Sequence, residues 1–165
     1  ENKSKLAQKD IDADWTKKNG ERHFEYKDHV KCDADSKLIT NYSVTSASVH
    51  DSQRCLVFIG QEDEVLYADS AYSGKPIALA LPENCKNQIC EKGYRNSPLT
   101  SEQKMNNRRK SRIRCRIEQI FGFMTGAMHG ITIRSIGITR AWMNIGITNL
   151  VYNFCRYSYL KRASA

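Results

Sequence analysis

The stretch Val65-Leu66-Tyr67-Ala68-Asp69 is a continuous apolar run that ends on an acid, and it decides how the rest of the chain is read. A run without polar alternation fits a strand buried on both faces, as in the interior of an α/β sheet. Downstream, Ser73-Gly74-Lys75-Pro76 starts a helix that runs through Leu81, with Pro76 suited to its first turn. Lys86 to Glu91 reads as a second short strand around Ile89 and Cys90. Upstream the period changes to two: Phe24, Tyr26, Val30 and Cys32 share one face, and His23, Glu25, Lys27, His29 and Lys31 the other. Asp33-Ala34-Asp35-Ser36 supplies turn chemistry, and Leu38, Tyr42 and Val44 resume the spacing by twos, so these runs form a β-hairpin. Strands followed by alternating helix and strand place the chain in the α/β or α+β layered class.

Residues 1–21 are polar and aperiodic, anchored by Leu6, Ile11 and Trp15, and read as a lead-in segment, not a strand. Val49-His50-Asp51-Ser52 opens a short helix that Asp51 or Ser52 can cap. Asn96-Ser97-Pro98 is a break. Two helices close the chain. Residues 101–124 put Ile113, Ile117, Ile120, Phe121 and Met124 on one stripe, and residues 136–160 put Met143, Ile147, Leu150, Val151 and Phe154 on another. Residues 161–165 are a tail.

Charge is divided unevenly over the 165 residues. Residues 1–100 hold 14 Lys+Arg and 16 Asp+Glu, a balance of −2. Residues 101–165 hold 12 basic residues against Glu102 and Glu118, a balance of +10. A basic half beside a near-neutral half points to a polyanionic partner, nucleic acid first, although a solvated basic face gives the same composition. The helix from Lys104 to Arg116, with Arg108, Arg109, Lys110 and Arg112, reads as a contact to DNA backbone. No apolar run approaches the ~20 residues that cross a bilayer, and the first residues lack the apolar core of a signal peptide. The six cysteines, without an export signal, read as reduced thiols in a reducing cytoplasm.

Two acids carry candidate chemistry. Asp69 ends the apolar run, where α/β sheets open into ligand crevices; the plainer reading is a turn or cap residue for Ser70–Tyr72. Glu118 is the one acid from residue 103 onward, at the edge of the apolar stripe and four residues after Arg114. Its plainer reading is a surface ion pair with that arginine.

Five blocks in order join these acids. They are Gln8-Lys9-Asp10 with Trp15-Thr16-Lys17-Lys18-Asn19-Gly20, Tyr26-Lys27-Asp28-His29-Val30, Val49-His50-Asp51-Ser52-Gln53, Ala68-Asp69-Ser70-Ala71-Tyr72, and Arg114-Cys115-Arg116-Ile117-Glu118-Gln119-Ile120-Phe121-Gly122. In this the chain resembles the DDE transposases of bacterial insertion sequences, from about Leu6 to Tyr157. The resemblance implies a ribonuclease-H-like mixed sheet with flanking helices over residues 22–160. It also implies a homo-oligomer acting on double-stranded DNA, at transposon ends and target. Three carboxylates of such enzymes hold two divalent ions, Mg²⁺ or Mn²⁺, for strand cleavage and transfer. Asp69 matches the second carboxylate, Glu118 the third, and Arg114 the arginine of the signature around that glutamate. Ser111 stands where the family has tyrosine and Thr125 where it has lysine.

The family's first carboxylate lies on the first strand of the sheet, and residues 1–21 hold no apolar strand carrying an Asp. The expectation is a domain lacking that strand, inactive alone, with Asp69 and Glu118 facing each other across one pocket. The alternative is an inactive DNA-binding relic or regulator. An RNA- or ribosome-associated basic protein needs only the charge and leaves the five blocks unexplained.

Overall fold

A computed structural model describes residues 8–18 and 20–164; Leu6, Asn19 and Ala165 lie outside the described residues. The chain divides into two compact units. One comprises the described residues up to His50 together with those from Phe121 onward, and the other comprises Asp51–Ile120.

In the first unit, strands β1 (Asp14–Lys18), β2 (Glu21–Cys32) and β3 (Ile39–Ser46) form an antiparallel sheet in that order. Residues 14–18, which the sequence reading places in a polar lead-in, are therefore a strand. Thr16 and Lys17 suit an edge strand that keeps one side in water. The β2–β3 hairpin forms where the alternation places it. Its turn is closed by Asp33, whose carboxylate accepts from the Asp35 and Ser36 amides and the Ser36 hydroxyl, with Lys37 at φ 60°.

Helix α5 (Ile138–Ala163) belongs to the same unit, and side chains fasten it to the hairpin. The Asn153 amide accepts from the Ile39 N–H and donates to the Ile39 carbonyl, both at 2.8 Å. The Tyr152 hydroxyl donates to the Lys37 carbonyl at 3.0 Å and Arg156 Nε to that of Ser36 at 2.6 Å. Trp142 stacks on Tyr42 with ring centroids 4.8 Å apart. Gly146 is needed there, since a Cβ at that position would fall 2.2 Å from the Tyr42 hydroxyl.

The packed face of α5 is Ala141, Ile145, Asn149 and Tyr152. Met143, Ile147, Leu150, Val151 and Phe154, the expected core stripe, are exposed. The buried face combines Ala141 and Asn149 with Ile145 and Tyr152, so the helix meets the hairpin by close approach and hydrogen bonds as well as by apolar contact.

Asp10 and Asp12 secure the other end of α5. Asp10 accepts from the Tyr26 hydroxyl at 2.6 Å and from the Gly137 amide, and Asp12 accepts from the Ile138 amide at 3.0 Å. Burial pushes the Asp10 carboxyl up, but the bonds from Tyr26, Gly137, Asp12 and Ala13 outweigh it and hold it below the usual range. Under the helix, Asp28 accepts from Asn149 Nδ2 at 3.3 Å, while Asp28 Oδ2 and Asn149 Oδ1 are buried without a hydrogen bond. Burial, partly offset by Asn149, pushes the Asp28 carboxyl up to about 6.

The second unit contains α1 (Ser52–Phe58), β4 (Val65–Leu66), a 3₁₀ turn (Ser70–Tyr72), α2 (Lys75–Ala80), β5 (Lys86–Asn87) and α3 (Ser101–Arg114). Strands β4 and β5 pair in parallel, and a bond from the Cys90 amide to the Ala68 carbonyl carries the pairing up to Asp69. The run at 65–68 is a strand of two residues with Val65 exposed, so the expectation of burial on both faces is corrected. Only one side has a core: Cys55, Ile77 and Ile89, joined by Ile59, Leu66, Ala68 and Tyr72.

Instead of one helix over 101–124, the chain forms α3 and then α4 (Arg116–Gly126), separated at Cys115. The unit boundary falls inside α4. The break puts Arg114 in the last turn of α3 and Glu118 in the first turn of α4, where each charge opposes the helix dipole favourably.

Candidate active site

Asp69, Arg114 and Glu118 all lie in the second unit or at its closing helix turn. Asp69 follows the Ala68–Cys90 rung, at the carboxyl edge of the parallel pair. One of its oxygens, Oδ1, caps the 3₁₀ turn by accepting from the Ser70 amide and from the Ser70 hydroxyl at 3.1 Å. The other, Oδ2, lies 4.0 Å from Arg114 Nη1. The same nitrogen lies 3.0 Å from Glu118 Oε1. One guanidinium nitrogen thus faces both acids, and the two oxygens are within about 7 Å of each other, the sum of the two distances. The plainer readings of Asp69 as a cap and Glu118 as an i,i+4 partner of arginine are both true locally. What local sequence does not supply is their meeting at one arginine.

The site is open. The Asp69 and Glu118 side chains are 54% and 60% exposed and that of Arg114 is 27% exposed. Near Asp69, burial pushes the Tyr72 hydroxyl up to about 12, with the negative charge of Asp51 and the Cys55 and Asp69 groups adding to the effect. Tyr72 therefore stays protonated near Asp69. Asp51, expected as a helix cap, makes no side-chain cap bond to α1.

Two half-exposed carboxylates offer the oxygen donors that Mg²⁺ or Mn²⁺ prefers, and the guanidinium marks where positive charge is accommodated between them. Asp69 and Glu118 fit as two ligands. Among the described residues no group of three His, Cys, Asp or Glu is placed to hold a metal ion.

The expected DNA-contacting residues separate by helix face. Lys110 turns inward, together with Gln103 and Asn107 of the same face. Gln103 Nε2 donates to Glu91 Oε2 at 2.6 Å, Asn107 bonds both the amide and carbonyl of Glu91 at 2.9 Å, and the Lys110 ammonium donates to the Ile89 carbonyl at 2.9 Å. Thr100 and Gln103 close the start of α3 with a capping box. Lys104, Arg108, Arg109 and Arg112 lie on the opposite, exposed side. Arg116 is half-buried at the start of α4.

Residues 3–154 match a family described as the transposase DDE domain. A curated relative, the transposase for insertion sequence element IS1106 of Neisseria meningitidis serogroup B, is 33% identical over 117 residues. That alignment covers 69% of this chain and 40% of the relative, so the chain spans well under half of that protein's length. No solved structure matches the chain.

Proposed function

The chain belongs to the transposase DDE domain family, and on that premise we propose that it serves DNA transposition by metal-dependent cleavage and transfer of DNA strands. The observation that carries this reading is the single Arg114 nitrogen facing both Asp69 and Glu118. In the proposal these two carboxylates are ligands of Mg²⁺ or Mn²⁺. Two such ions, when bound with a third carboxylate, stabilise the attacking and leaving oxygens at phosphorus. Arg114 balances the charge of the acids and orients Glu118. Lys104, Arg108, Arg109 and Arg112 hold the DNA backbone; Arg116 supports them from α4, and Lys110 positions α3. Residues 22–160 belong, in this reading, to a ribonuclease-H-like domain. An antiparallel hairpin followed by a parallel pair ending on the acid supports it. A homo-oligomer acting on transposon ends and target in the bacterial nucleoid completes the picture.

A second reading, a DNA-binding protein without cleavage, is favoured because, among the described residues, no third His, Cys, Asp or Glu joins Asp69 and Glu118 in a metal-holding group. One experiment separates them. Joined in frame to a strand carrying the family's first Asp, the chain should nick supercoiled plasmid in Mg²⁺. Asp69→Ala or Glu118→Ala should abolish the nicking. Nicking that survives both substitutions would refute the assignment, and duplex binding without nicking in the joined protein would support the second reading.

A further inference from the structure

The β1–β2 end of the first unit carries a surface that the candidate active site does not use. Its register sets Trp15 opposite Phe24 and Lys17 opposite Arg22. Directly opposed residues, and residues two apart on a strand, share a face, so these four side chains stand on one side of the sheet. Asp14, Glu21 and Glu25 fall on the other. Trp15 is 60% exposed and Phe24 47%, with ring centroids 5.3 Å apart at an interplanar angle of 52°. Lys17 and Arg22 are exposed, and neither forms an ion pair with a carboxylate among the described residues.

The arrangement is unfavourable for the sheet alone. Like charges directly opposite destabilise a strand pair, and two large rings are left in water. Further along the same face, around Asp28 and Tyr42, α5 covers the sheet through Asn149 and Trp142. That cover stops short of Trp15 and Phe24. An occupant that relieves both features must offer flat apolar rings and negative charge at adjacent points. Trp15 and Lys17 are about 7 Å apart along the strand, so ring and charge can belong to one repeating unit.

We propose that this bare sheet end binds single-stranded DNA, with unpaired bases stacking on Trp15 and Phe24 and phosphates held by Lys17 and Arg22. Aromatic faces beside cations are the general means of gripping unpaired strands without sequence preference. The inference rests on the reading of the chain as a DNA-acting protein, since strand cleavage and transfer expose unpaired ends.

The test uses the whole chain with Trp142→Phe, which leaves Trp15 as its one tryptophan. Titration with a fifteen-nucleotide oligo-dT should quench Trp15 fluorescence. Trp15→Ala should weaken oligo-dT binding about tenfold or more, Trp15→Phe should restore most of it, and duplex affinity should stay within about twofold. Replacing both Lys17 and Arg22 by Ala should reduce the salt slope for oligo-dT by about 1.4, two contacts at roughly 0.7 each. This double variant keeps the rings and serves if Trp15→Ala fails to fold. Unquenched Trp15 at saturating oligo-dT, or an unchanged affinity in Trp15→Ala, overturns the proposal while duplex binding persists. Loss of duplex binding as well would overturn the DNA reading beneath it.

Discussion

In the first unit a twelve-residue strand pairs on both sides and a 26-residue helix is tied to the hairpin, whereas in the second the only parallel pairing spans two residues of each strand. Both units fasten a helix to backbone with an asparagine: Asn153 holds Ile39, and Asn107 holds Glu91. The first uses the clamp to cover a face already ordered by its own ladder. The second uses it, with Lys110 and Gln103, in place of a ladder. Clamping α3 on one side leaves its other side free to present Lys104, Arg108, Arg109 and Arg112. Order without a long sheet thus leaves the charged groups at the surface, where the proposed DNA and cation contacts would lie.

The largest effect that would sharpen this contrast is a pH dependence confined to the first unit. The Asp28 carboxyl is pushed up to about 6 from an ordinary 3.8, so the folded state keeps its proton after the unfolded state has lost it. Stability from this group is full below the unfolded value and lost as pH rises from about 4 to about 6, by about 3 kcal/mol. Asp28→Asn should recover most of that at pH 7 and flatten the profile; urea unfolding followed by Trp142 fluorescence reads it. Asp10, held low, acts in the opposite sense, its contribution vanishing as pH falls through its folded value.

Next comes duplex binding by the second unit. If Lys104, Arg108, Arg109 and Arg112 each hold a phosphate, affinity should drop about 10²-fold between 50 and 200 mM salt. Replacing Arg108 and Arg109 by Ala should roughly halve the slope, as fluorescence anisotropy at several salt concentrations would report. A slope unchanged by those substitutions would place the interface elsewhere.

The smallest effects compare the clamps directly. Asn153→Ala should cost about 2 kcal/mol and Asn107→Ala about 1, because Ile39 is buried while Glu91 is reached by water. Amide hydrogen exchange should show each loss confined to its own unit. Equal protection changes in both units for either variant would break the contrast.

Much of this was legible in the sequence, and the gaps have physical reasons. Period-two spacing from Phe24 to Val44 gave the hairpin, and Pro76 the start of α2. The Arg114–Glu118 pair followed from their four-residue spacing and survives the break between their helices at Cys115. The strand at Asp14–Lys18 was hidden because its residues are those of a polar edge. The caps made by Asp10 and Asp12 were invisible because their partners, Gly137 and Ile138, lie more than a hundred residues away. The face of α5 was misread because apolar residues lie on both of its sides, and the buried side is the one whose Asn149, Tyr152 and Asn153 bond the hairpin. Lys110 looked like its neighbours in sequence, and only the Ile89 carbonyl distinguishes it. Asp69 and Glu118, 49 residues apart, were joined by the order of the blocks around them; composition offered no such link.

In the proposed site Asp69 and Glu118 are ligands of one cation and not two separate surface acids. Mn²⁺ affinity of the whole chain, measured by electron paramagnetic resonance for Asp69→Asn, Glu118→Gln and the double variant, tests it most directly. Two ligands of one ion should be strongly coupled: each single substitution should weaken binding on the order of tenfold, and the double little further. Unchanged Mn²⁺ affinity in the single variants, or losses that simply multiply in the double, would contradict a shared site.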